Sequence, residues 1–294
     1  SILRILIGMK SNLKIITSIK DQKDYCNSLE EEEKKISLVP TMGNLHKGHE
    51  HLFLCSRSTN NKIIVSLFVN PLQFNDIDDY KSYPNSIDAD ISMLEKNKID
   101  CLFMPLEDEI LKGIDESPSP SLPAYMDILC GKYREGHFIG VFKIVKQLLK
   151  IIKPSIAYFG KKDYQQLIMI NYIVKEHFMN KIKIIPCDTV REANGLAMSS
   201  RNSKMTQAEK NIASSVYNEL LALKKIIKLN INYDYDELRK KSIDKLSKLG
   251  IKIEYLELLS SNDFSVIQKN DNDNRMLFVA FYISGVRLID NIEV

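Results

Sequence analysis

The stretch Ile36-Ser37-Leu38-Val39-Pro40-Thr41-Met42-Gly43-Asn44-Leu45-His46-Lys47-Gly48-His49 passes from an apolar run, through a break containing proline and glycine, into the start of a helix. Ile36 to Val39 predicts a buried strand and Gly48 to Ser58 a helix, the first half of a β–α–β unit. The alternation continues downstream. Lys62 to Val69 is a β-branched strand ended by Asn70-Pro71. Ser86 predicts the cap of a helix reaching Lys98, and Cys101 to Met104 a short strand before Pro105. Val141, Ile144, Val145, Leu148 and Ile152 recur at helical spacing as far as Pro154. A strand from Ile156 to Phe159, a helix from Asp163 to Phe178 and a strand from Ile182 to Ile185 follow. Such alternation predicts an α/β parallel sheet whose C-terminal strand ends share one edge, where ligands bind.

Leu106 to Pro123 interrupts the rhythm with Ser117-Pro118-Ser119-Pro120-Ser121 and reads as a long loop, a place for a lid. The pattern changes near Thr189. Thr206-Gln207-Ala208-Glu209 is a capping box ahead of a helix of about five turns. Tyr235 to Leu249 predicts another helix, stopped by Gly250. Ile251 to Tyr255 alternates, and Met276 to Ile283 faces Val286 to Val294 across Ser284-Gly285. The expected organisation is therefore an α/β domain over residues 1–188 and a smaller α+β domain over 189–294. Ser1 to Gly8, ahead of Met9, read as an extension, a tag remnant or a start-site artefact, and carry no argument.

The chain has 41 basic and 38 acidic side chains, so no overall charge favours nucleic acid or an anionic membrane. No apolar run reaches the roughly 20 residues that span a bilayer. Cys26, Cys55, Cys101, Cys130 and Cys187 are widely spaced and form no Cys-x-x-Cys pair. That usage predicts neither a disulfide framework nor a structural zinc site, and fits a reducing cytoplasm.

Three segments carry chemistry. His46-Lys47-Gly48-His49 opens a helix, where unpaired N–H groups and the positive dipole end attract anions. Two histidines there are suited to donating hydrogen bonds to phosphate oxygens as charge builds in a transition state. Gly48, lacking Cβ, would let an adenine ring approach. Phe159-Gly160-Lys161-Lys162-Asp163-Tyr164-Gln165-Gln166 again joins a strand end to a helix, with lysine as a point charge for a transferred phosphoryl group. Met198-Ser199-Ser200-Arg201-Asn202 places two hydroxyls and a guanidinium at the domain boundary, a phosphate clamp on a loop able to close over a nucleotide. Asn70-Pro71-Leu72-Gln73-Phe74 ends a strand on the same edge. Gln73 and Gln166 would there face a small polar substrate, lined by Phe74, Met42 and Val141. Neither G-x-x-x-x-G-K-[ST] nor G-x-G-x-x-G occurs, which disfavours a P-loop ATPase and a dinucleotide dehydrogenase.

In this order, with Gly136-His137-Phe138 between them, the segments resemble the pantothenate synthetases, or pantoate–β-alanine ligases. The histidine turn alone is shared by the wider nucleotidyltransferase superfamily. The resemblance runs from about Leu13 to the C-terminus. It implies a Rossmann-like nucleotidyltransferase domain, a smaller C-terminal domain, a homodimer and Mg²⁺-dependent use of ATP, and leaves the Mg²⁺ ligands open. The implied reaction joins pantoate to β-alanine through pantoyl adenylate, releasing pyrophosphate and AMP. Carried over by motif, Met42, Gly43, Asn44, Leu45, His46, Lys47, Gly48 and His49 surround ATP, with His49 the donor to the leaving group. Gly160, Lys161, Lys162 and Asp163 hold ribose and phosphates, and Val190, Met198, Ser199, Ser200 and Arg201 complete the nucleotide site. Catalytic roles fall to His46, His49, Lys162, Ser199, Ser200 and Arg201. Gln73 and Gln166 grip pantoate, with Gln73 also near β-alanine. The chain departs from the family pattern at Lys161 (usually Glu), Glu135 (usually Pro), Asn194 (usually Asp), and Lys143 and Gln147. Two alternatives remain at this stage: a related nucleotidyltransferase with another acceptor, and a catalytically idle nucleotide-binding module.

Overall fold

The computed structural model describes residues 12–32, 34–114, 120–229, 232–267 and 274–294. Ser1 to Gly8 and Ser117-Pro118-Ser119 of the long loop lie outside them. The chain opens with β1 (Lys14–Ile16) and α1 (Ile19–Glu31), then β2 (Ile36–Thr41), α2 (Lys47–Ser56) and β3 (Lys62–Leu67). Next come α3 (Ile77–Lys81), α4 (Ile87–Lys96), β4 (Cys101–Phe103), α5 (Glu107–Lys112), α6 (Cys130–Tyr133) and α7 (His137–Ile152). β5 (Ile156–Gly160), α8 (Tyr164–Phe178) and β6 (Lys183–Cys187) finish the first unit. The remainder is α9 (Gln207–Ala213), α10 (Ser215–Leu229), α11 (Tyr235–Ser247), β7 (Lys252–Ser260), β8 (Arg275–Ile283) and β9 (Val286–Glu293).

Six strands form one sheet in the order β1-β4-β3-β2-β5-β6, and every pairing is parallel. From β2 the chain builds outward through β3 and β4, and then returns to place β5 on the other side. The order reverses between β2 and β5, so a crevice opens at their C-terminal ends. Leu38, Val39, Ile64, Val65, Leu102 and Phe103 are fully buried because helices cover both faces. That explains the continuous apolar runs of these strands. The expected α/β class, with its Rossmann-like sheet and smaller α+β unit, is borne out.

The second sheet is an antiparallel meander of β7, β8 and β9. Ile283 pairs with Val286, so Ser284-Gly285 is a two-residue hairpin turn, and both residues have positive φ as a type I′ turn demands. One face of this sheet packs on α9, α10 and α11 around Leu220, Leu246, Leu277 and Phe281. The other face supplies Tyr255 and Phe278, and the segment after β7 supplies Phe264, to the same hydrophobic cluster as Phe138, Val141 and Leu167 of the first unit.

Several expectations are corrected. β1 and α1 were not anticipated: β1 has only three residues, and α1 is polar apart from Cys26, Leu29 and its flanks. The stretch from Leu106 to Pro123 contains α5, anchored by the buried Ile110. The helix after Thr206 has its capping box but breaks at Ser214, whose hydroxyl donates to the Asn211 carbonyl. Ser86 stands at the N-cap position of α4 without capping it, because its hydroxyl is engaged by Asn44 and Asp90.

Candidate active site

The turn after β2 is shaped by its own side chains. His46 is the N-cap of α2, and its Nδ1 accepts the Gly48 N–H at 3.1 Å. His49 reaches back, its Nδ1 accepting the His46 N–H at 3.2 Å. This is a capping box made from two imidazoles. With both Nδ1 atoms accepting, each ring carries its proton on Nε2. Burial lowers the His46 pKa to about 4, and burial with the neighbouring His46 and Lys162 takes His49 well below its ordinary value. Both rings are neutral at pH 7 and offer an N–H donor. Gly48 lines the cavity and also has a role within the turn. A Cβ there would lie 2.7 Å from His46 Cε1 and 2.8 Å from Nδ1, so the glycine makes room for the imidazole cap.

Asp90, absent from the expectations, holds the preceding turn. Its buried carboxylate accepts the Asn44 N–H at 2.8 Å and the Leu45 N–H at 2.7 Å. Those two donors are therefore already satisfied. Gly43 and Asn44 have positive φ, which this sharp turn requires. Asn44 also binds the clamp loop reciprocally: its Nδ2 donates to the Ser200 carbonyl at 3.1 Å, and the Ser200 hydroxyl donates to the Asn44 carbonyl at 3.2 Å.

Across the crevice, the turn after β5 carries Lys162. Asn291 of β9 donates to the carbonyls of Lys161 at 3.0 Å and Lys162 at 2.8 Å, so the small sheet fixes this turn. The clamp loop is a tight hairpin in which Arg191 pairs with Ala197 and Gly195 has a φ of +94°. Arg191 forms a bidentate pair with the buried Asp290 at 2.6 and 2.9 Å and lies 3.7 Å over the Tyr217 ring. The loop base is thereby fastened to β9 and α10.

A third network positions Gln73. Gly140 of α7 has no room for a Cβ, which would meet the Leu72 carbonyl oxygen at 2.1 Å. The helix consequently rests backbone to backbone on Pro71–Gln73. His137 Nδ1 donates to the Gln73 carbonyl at 2.8 Å, leaving Nε2 to accept from Arg134 at 3.1 Å. Arg134 also donates to that carbonyl, at 3.1 Å. Burial lowers the His137 pKa to about 3, with Arg134 adding to the effect. The Gln73 amide accepts from Asn70 at 3.2 Å and donates to Met42 Sδ at 2.9 Å.

One cavity of about 250 Å³ gathers Met42, His46, Gly48, His49, Gln73, Gly160, Lys162, Asp163, Gln166, Val190, Met198, Ser199, Ser200 and Arg201. Gly43, Asn44, Leu45, Lys47 and Lys161 lie outside its lining. Lys161 instead pairs with Asp188 at 2.7 Å, which raises its own pKa and lowers that of Asp188. Val141 lines the cavity, whereas Phe74 packs on Tyr80 and Tyr83. Lys143 and Gln147 do not reach it. Tyr83, Arg134, His137, Asp188 and Thr189 line it without having been singled out as site residues. The Gly-His-Phe signal did point to His137, while Tyr83 and Thr189 had no distinguishing local pattern. Among the described residues, no group of three His, Cys, Asp or Glu side chains is arranged to hold a metal ion.

The family described as pantoate-β-alanine ligase matches residues 14–293. A pantothenate synthetase from Thermotoga petrophila is 36% identical over 286 residues, covering 95% of this chain and 99% of that one. A crystal structure of pantothenate synthetase from Thermus thermophilus superposes with a TM-score of 0.86 at 28% identity, covering 95% and 99%. The pantoate-β-alanine ligase of Francisella tularensis, solved in complex with β-γ ATP and β-alanine, is 38% identical with a TM-score of 0.78, covering 96% and 97%. The resemblance read from five short segments thus extends over nearly the whole chain, and the chain belongs to the pantoate–β-alanine ligase family.

Proposed function

We propose that this enzyme condenses pantoate with β-alanine at the cost of ATP, by way of pantoyl adenylate. The observation that carries the reading is the meeting of the histidine turn, Lys162 and Ser199-Ser200-Arg201 in one cavity with Gln73 and Gln166. Neutral His46 and His49 present Nε2–H donors to the phosphates, while Lys162 and Arg201 supply positive charge. As the pantoate carboxylate attacks the α-phosphorus, charge moves onto the departing pyrophosphate, and His49 stabilises it as a hydrogen-bond donor. Gln73 and Gln166 hold the hydroxy acid, and the amine of β-alanine then attacks the activated carbonyl and expels AMP. The relative solved with β-γ ATP and β-alanine supports this choice of substrates.

Mg²⁺ belongs to this reading as an ion carried on the ATP phosphates, where it offsets their charge. The available donors fit that arrangement, since Asp163 and Asp188 line the cavity without a third acidic partner. The division into residues 1–188 and 189–294 places the clamp loop at the junction. A homodimer and a cytoplasmic setting rest on the family resemblance. No helix among the described residues is long and apolar enough to cross a membrane.

The decisive experiment is a coupled AMP assay. AMP release is expected only with pantoate, β-alanine and Mg·ATP together. Release that ignores pantoate, or none under any condition, overturns the proposal.

A further inference from the structure

Arg201 lines the nucleotide cavity, yet the group that holds it does not. Its Nη2 donates to Asp79 Oδ2 at 2.8 Å, and Asp79 sits on α3, outside the lining. Asp79 Oδ1 lies 3.8 Å from Lys204, whose ammonium also donates to Ser82 at 3.1 Å. One carboxylate thus faces two cations of the same short 3₁₀ turn, Ser200–Lys204. Tyr83 adds a ring 5.9 Å from the Arg201 guanidinium. A guanidinium has five N–H donors, and this is the only hydrogen bond Arg201's side chain makes among the described residues. Its other donors remain free for a ligand.

We propose that Asp79 is a positioning residue, holding Arg201 from behind so that its unused donors are set for the nucleotide phosphates before ATP arrives. An unanchored arginine has many rotamers and would have to be ordered by the ligand. A carboxylate that occupies one N–H removes part of that cost. The same carboxylate holds Lys204, so it fixes the turn as well as the side chain. This inference rests on the nucleotide-binding reading of the cavity, and its test separates the two.

The test is calorimetric titration of the full chain with Mg·ATP, in a double-mutant cycle of Asp79→Ala and Arg201→Ala. Asp79→Ala is expected to weaken ATP binding by roughly three- to tenfold, the cost of ordering one long side chain. In the Arg201→Ala background the same change is expected to alter binding less than about twofold, since its route of action is gone. Asp79→Asn, which keeps the shape and leaves no cavity, should show the same dependence on Arg201. In steady state the KM for ATP should rise while that for β-alanine stays. Equal losses in both backgrounds, or wild-type ATP affinity in Asp79→Ala and Asp79→Asn, would overturn the proposal. A wild-type protein that binds ATP but makes no pantothenate sinks the functional reading alone, and the binding cycle still decides the role of Asp79.

Discussion

His49 Nδ1 accepts the backbone N–H of His46 at 3.2 Å, so the residue expected to meet the leaving group also closes the turn that carries its partner. Structure and proposed chemistry share one imidazole and separate by nitrogen: Nδ1 closes the turn, and Nε2–H is the donor proposed to meet the phosphates. His49→Ala therefore removes two things of different size. The lost cap costs about 1 kcal/mol of stability. The lost donor lowers adenylate formation by roughly 10²- to 10³-fold. Single-turnover yield of pantoyl adenylate beside a thermal melt checks the pair, and near-normal yield would refute the role of Nε2.

Gly48→Ala tests the geometry from the other side. Alanine improves helix propensity, but its methyl group needs the space occupied by the His46 ring, 2.7 Å away. The expected result is a nearly unchanged melting temperature with a marked loss of ATP affinity. Wild-type kinetics in this variant would show that the ring has freedom the present arrangement denies it.

Asp90→Asn should act on the turn without touching the cavity. Asparagine offers one acceptor oxygen where the carboxylate serves Asn44 and Leu45 with two, so one buried N–H is left unsatisfied. Such a loss costs about 1–3 kcal/mol, measurable by urea unfolding. Stability equal to wild type would mean that the turn is held by the Asn44–Ser200 contacts alone.

Stability should fall in mild acid. His137 keeps a folded-state pKa of about 3, against an ordinary value near 6.5. Between those values only the unfolded chain takes up the proton, so lowering the pH through this window favours unfolding. For one such histidine the loss between pH 7 and pH 5 is about 2 kcal/mol. His137→Gln should flatten the pH dependence by that amount. An unchanged slope in chemical denaturation at the two pH values would contradict a buried neutral His137.

The sequence made the sheet legible because its strands are buried on both faces, and a run such as Ile63-Ile64-Val65 has no other comfortable place. It also made these cavity-lining residues legible, since His46, His49, Lys162 and Gln166 follow strand ends in short, distinctive strings. What it hid were the residues that act at long range. Asp90 supports a turn 45 positions earlier, and Asn291 fixes a lysine turn 129 positions away, each through a backbone partner that leaves no local pattern. Gly48 was legible as special, but its close approach to the His46 ring was not, because that neighbour is a side chain of its own turn.

The apolar cluster that joins Phe264 and Phe278 to Tyr164 and Phe138 has a consequence for motion. Two bodies that share an oily seam do not swing apart like the halves of a hinge, because opening would wet that seam. Substrate entry and product release must then be accommodated by the segments bordering the crevice, while both sheets stay still. The same seam should make the chain melt as one cooperative unit, and a fragment ending near residue 188 should be sticky and short-lived.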